Sequence, residues 1–95
     1  MTKADELLRG VELALAGDWD AAHDLAQRHE GDVTADWLHA VLHKLEGDTG
    51  NARYWYRRCG RLDRAGDDPA TELEAIRESL EPRGRTLAPS GSPIA

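Results

Sequence analysis

The chain has 95 residues and a net charge of −6, with three Trp, two Tyr, no Phe and one Cys. That length means one small domain, burying only about 60–65% of its unfolded surface. A single thiol excludes an internal disulfide and a Cys-based zinc cluster within one chain. No apolar run approaches the roughly 20 residues of a membrane span, and Met1–Glu6 lacks a secretory core, so a cytoplasmic protein is expected.

In chain order, Leu7, Leu8, Val11 and Leu15 recur at helical spacing and predict a first helix from about Lys3 to Ala16. Gly17 ends it, and Asp18 caps a second helix from about Trp19 to His29, with Ala22, Leu25, Ala26 and His29 on one stripe. Thr34 or Asp32 caps a third helix that ends near Glu46. Its Trp37, Leu38, Val41, Leu42 and Leu45 fill an apolar arc of about 140°. After Gly47-Asp48-Thr49-Gly50, a fourth helix runs from about Asn51 to Arg61 with Ala52, Trp55, Tyr56 and Cys59 on its apolar face. Asp68-Pro69 opens a fifth, to about Leu80, carrying Ala70, Leu73, Ile76 and Leu80 on one side and charge elsewhere, which predicts a surface capping helix. Pro82 stops it. Residues 1–81 read as one helical domain and residues 82–95, rich in Pro, Gly and Ser, as a disordered tail.

Residues 7–27 and 37–57 carry one pattern offset by 30 positions. Leu8, Val11 and Leu15 match Leu38, Val41 and Leu45, Gly17-Asp18 matches Gly47-Asp48, and Ala22 matches Ala52. A period near 30 with a central Gly-Asp turn predicts stacked helix–turn–helix units. Gly17 to Ala22, with Ala five residues after the Gly, resembles the tetratricopeptide (TPR) repeat. The second copy keeps the Gly, the Ala and an aromatic, Tyr56, four residues further on. The small residues Gly10 and Ala40 fit the same pattern over about residues 4–64. The resemblance implies an all-α fold of two antiparallel TPR-like hairpins plus the C-terminal cap. Asp36, His39 and His43 stand where the TPR pattern has Trp, Leu and Tyr, and neither unit has the closing Pro. The segment from Leu38 to Arg58 also resembles the core of a family of small uncharacterised bacterial proteins, a likeness that carries no activity.

Three groups of residues are candidates for function. Asp36, His39 and His43 form D-x2-H-x3-H, three ligand-type groups within roughly 60° of one helical wheel. Two His at i and i+4 can grip zinc or another imidazole-preferring divalent metal, with His23 or His29 as a further ligand. The first unit has Glu6, Arg9 and Leu13 in these places, so the cluster is not part of the repeat scaffold. The structural alternative puts both His on the wetter face of the helix, or hydrogen-bonded between the third and fourth helices. A pairing of Cys59 with His29 or His43 is a remote nucleophilic option.

Arg53, Arg57, Arg61 and Arg64 line one face of the fourth helix, within a block of five Arg and one Asp over residues 49–64. They fit phosphate, an acidic peptide or RNA, or internal pairing with the acidic first half or the fifth helix. Trp37 and Tyr54 are candidate interface anchors. The acidic total argues against general nucleic-acid binding. No resident cofactor is expected beyond that metal option. Two hairpins leave apolar surface to cover, which favours a small protein-interaction or self-association module, a homodimer in the simplest case. The alternative is a metal- or ligand-binding protein, including an enzyme, centred on His39 and His43.

Overall fold

The computed structural model describes residues 2–81. The fold is all-α: α1 (Lys3–Leu15), α2 (Trp19–Arg28), α3 (Val33–Leu45), α4 (Thr49–Arg58), a short 3-10 turn (Leu62–Arg64) and α5 (Pro69–Leu80). The segment read from the sequence as a disordered tail lies outside the described residues.

The first four helices repeat their boundaries at a spacing of 30, with Lys3–Leu15 answered by Val33–Leu45 and Trp19–Arg28 by Thr49–Arg58. The turns explain why. At the end of α1, Gly17 adopts φ 89° and Asp18 N–H donates to Leu13 C=O at 2.9 Å. At the end of α3, Gly47 adopts φ 85° and Asp48 N–H donates to His43 C=O at 2.9 Å. This six-residue closure needs a left-handed residue, which glycine supplies without a Cβ clash. The same aspartates then open the next helix, because Asp18 accepts from Ala21 N–H and Asp48 from Asn51 N–H. One residue thus closes one helix and caps the next. It also moves the start of α4 to Thr49, two residues before the sequence-based estimate. Gly60, at φ 74°, ends α4 at Arg58 by the same closure, with Arg61 N–H on Tyr56 C=O at 2.9 Å. Asp32, rather than Thr34, caps α3 through Ala35 N–H.

α3 lies at the centre. α1, α2, α4 and α5 all pack on it, and every residue from Ala35 to His43 is buried. The apolar arc read from the sequence is therefore too narrow an account of this helix, and its polar positions are buried as well. α1 approaches α3 closely at Gly10, where a Cβ would stand 3.0 Å from Leu38 Cδ2. Leu15 and Leu45, expected in the core, sit at the Gly-turn ends beyond the packed neighbours and are exposed.

α5 departs from the surface cap expected at one charged position, Glu72, which is buried. It packs on α1 and α3 and contributes Leu73 and Ile76 to the core. It also inserts Glu72, fully buried, among Trp37, Tyr56 and Lys44. Glu72 accepts from Trp37 Nε1 at 3.0 Å and from Tyr56 Oη at 2.6–2.8 Å. Lys44 Nζ donates to Glu72 and also to the carbonyls of Arg64 and Asp67 at 3.1 and 2.7 Å. Three polar groups are buried here beside the half-buried Lys44 because each finds partners.

Candidate metal centre

His39 and His43 are one turn apart on α3, so their rings stack with centroids 4.9 Å apart. α2 brings His23 against them, and its Nε2 stands 3.0 Å from His39 Nε2. The three residues each offer a nitrogen such that all three nitrogens lie within 4.8 Å of one another. His39 and His43 are buried and His23 half-buried.

Aromatic rings wall the cluster. Trp19 stacks on His23 at 4.5 Å, and Trp55, from α4, stacks on His39 at 3.9 Å. Trp19 is itself anchored, its Nε1 donating to Leu42 C=O at 2.6 Å. Arg58 lies over the ring of Trp55 at 4.8 Å, adding positive potential near His39.

Burial is the first cause that holds His39 down to a pKa of about 4, followed by the neighbouring His23 and His43 and by Arg58. Burial and His43 also lower His23, against the opposing pull of Asp24, Glu46 and Asp20. Both imidazoles are neutral at pH 7, the protonation state that a metal requires of its histidine ligands.

Two further details shape the site. His43 Nδ1 and Glu46 Oε2 are 2.6 Å apart, which commits Nδ1 and leaves Nε2 as the free nitrogen of that ring. His39 Nδ1 is buried with no hydrogen-bond partner. An orphaned buried polar atom costs about 1–3 kcal/mol and calls for an explanation. A second ligand-type group, His43 with Glu46 and Asp48, shares His43, but its two carboxylates are exposed.

One of the three separations is already near that of a small ion's ligands. Metal–nitrogen bonds of about 2.0–2.1 Å at a tetrahedral centre place ligand nitrogens about 3.3 Å apart. The two Nε2 atoms at 3.0 Å need to separate by only a few tenths of an ångström.

The residues singled out from the sequence are distributed as follows. The structure brings His39 and His43 together but sends Asp36 elsewhere. Asp36 is buried near the start of α3 and accepts from Gly31 N–H at 3.1 Å, serving the preceding loop. His23 takes its place in the cluster. The signal for His23 was its spacing from Trp19, one turn apart on α2. Glu46 was missed; its signal was H-x2-E at the end of α3. His29 does not join, since its Nε2 pairs with Glu6 at 2.9 Å. Cys59 bonds Tyr56 C=O, and burial raises its thiol pKa, which suits an inert thiol and not a nucleophile.

The arginine stripe divides. Arg53 and Arg57 are exposed, whereas Arg61 and Arg64 lie over the Trp37 ring at 4.3 and 5.6 Å, and Arg64 also pairs with Asp67. Of the four, only Arg61 and Arg64 share a ring, that of Trp37. Trp37, read as an interface anchor, is a core residue 3% exposed, because Glu72 satisfies its indole N–H inside the bundle. Tyr54 is 49% exposed on α4. No helix among the described residues is long and apolar enough to cross a membrane.

Comparison with known proteins returned no match to a family model, a curated protein or a solved structure. The chain is an all-α protein, and its functional reading rests on the site itself.

Proposed function

We propose that this domain binds one divalent transition-metal ion through His23, His39 and His43. The observation that carries the reading is the convergence of three imidazoles from two helices, with one nitrogen of each within 4.8 Å of the others. Neutral nitrogen donors favour zinc, copper, nickel or cobalt over magnesium and calcium, which take oxygen. Zinc is the first choice for a site of three histidines. Because α2 belongs to the first sequence unit and α3 to the second, the ion would fasten the two units together. Ring stacking on Trp19 and Trp55 would hold the ligands in place before the ion arrives.

The test is native mass spectrometry of protein purified without chelator, with zinc titration of the metal-free form. One ion per chain is expected, lost in His39→Ala with His43→Ala and in His23→Ala. Wild-type protein that takes up no stoichiometric zinc, copper, nickel or cobalt would sink the reading.

A second reading has its own support. Leu15 and Leu45, equivalent in the two units, are both exposed, and Leu45 borders a groove of about 240 Å³ with Ala14, Gly17, Trp19 and Leu42. On this reading the chain is a TPR-like cytoplasmic interaction module that covers the groove with a protein partner or a second copy of itself. Sedimentation should then reveal a dimer that Leu15→Glu with Leu45→Glu dissolves. A monomer at high micromolar concentration would remove the self-association form.

A further inference from the structure

We infer that Glu46 is the positioning residue of the metal centre: its carboxylate holds the proton on His43 Nδ1 and so presents Nε2 of that ring to the ion. The inference rests on the metal reading and adds the tautomer and the group that sets it. Its basis is the 2.6 Å contact between Glu46 Oε2 and His43 Nδ1. The His43 side chain is only 9% exposed, so the ring is held inside the fold while Glu46 reaches it from the surface.

The backbone fixes this pair. Glu46 is the C-cap of α3, with φ −85° and ψ 0°, and its N–H donates to Leu42 C=O at 3.2 Å. Gly47 reverses the chain immediately afterwards at φ 85°. Glu46 is therefore held on the same turn as His43, three residues back.

A carboxylate is out of place at a helix C-terminus by ordinary rules. The helix dipole is negative there, and it favours Lys, Arg or His. The equivalent cap in the first unit is the neutral Ala16, and the residue equivalent to His43 is Leu13. The acid occurs only in the unit where a ring nitrogen waits for it. Histidine ligands commonly donate their second N–H to a carboxylate, which orients the ring and raises its basicity. His39 has ring stacking on Trp55 in that role, since its Nδ1 has no acceptor.

Two measurements on the full chain test this. The first is nitrogen-15 NMR of the metal-free protein, where His43 is expected as the Nδ1–H tautomer in wild type and as a mixture in Glu46→Gln. The second is zinc affinity by competition with a chromophoric chelator, where Glu46→Gln should bind about 10–100-fold more weakly. Glu46→Asp should recover part of the loss, and thermal melting of the metal-free variants checks that they fold. An Nε2–H tautomer in wild type, or a Glu46→Gln affinity equal to wild type, overturns the inference. If wild type binds no zinc, the underlying reading falls as well, and a retained Nδ1–H tautomer would then assign the Glu46–His43 pair to structure alone.

Discussion

α3 carries two buried polar clusters, and they are built on opposite terms. Around Glu72 the charges are paired. All three protons of Lys44 are used, and both carboxylate oxygens are occupied by Trp37, Tyr56 and Lys44. Around His39, burial lowers the pKa of His39 and of His23, the polar contacts are the His23–His39 approach and the His43–Glu46 pair, and one ring nitrogen of His39 has nothing to bond. The first arrangement is what a buried network needs for stability. The second leaves His39 Nδ1 without a partner at the middle of the fold, which stability alone does not select. The difference separates the cluster that holds the helices together from the cluster with capacity left for a ligand.

The largest expected effect breaks the first cluster. Lys44→Met leaves Glu72 buried without its cation, and should cost about 3–5 kcal/mol in urea unfolding. A loss under about 1 kcal/mol would mean that the Glu72 network is not the fastening of α5.

Next in size is the response of the second cluster to acid. His39 has a folded-state pKa of about 4 against an ordinary 6.5. The unfolded chain therefore binds the extra proton first as pH falls. The stability linked to His39 is fully present above about pH 6.5 and drains away between there and about pH 4, by roughly 3 kcal/mol at most. His23 shifts in the same direction. His39→Phe keeps the stack on Trp55 and should flatten this part of the pH profile relative to wild type. Identical profiles for the two proteins would contradict the burial argument.

Zinc sharpens the comparison at slightly smaller scale. At a free concentration 100 times its dissociation constant, a single bound ion stabilises by about 2.7 kcal/mol. Wild type and Lys44→Met should both gain this in thermal melts with added zinc, and His39→Phe should not. Equal gains in all three would place any bound zinc outside the imidazole cluster.

The smallest effect concerns Trp37, whose indole belongs to the first cluster while its ring face carries Arg61 at 4.3 Å. Arg61→Gln should cost about 0.5–1 kcal/mol, with little dependence on salt. A steep salt dependence would instead assign Arg61 to a longer-range charge network.

Much of the fold was legible from local chemistry. The Gly-Asp turns, the Asp caps and the period of 30 are short-range devices. Each glycine needs its left-handed φ and each aspartate reaches an N–H three residues on, so the sequence alone determined five helices and most of their bounds. His39 and His43 were legible for the same reason, since a spacing of four on a helix places two rings side by side. Proximity in three dimensions is a different matter. Only the packing of α2 onto α3 brought His23 to His39, and only the packing of α5 drew Glu72 inside. Periodicity treats polar residues as outward-facing, whereas α3 is surrounded, and His39 and Lys44 are kept by partners distant in sequence. The identity of those partners depends on which helix faces meet, a choice made by the burial of the whole core and carried by no single segment.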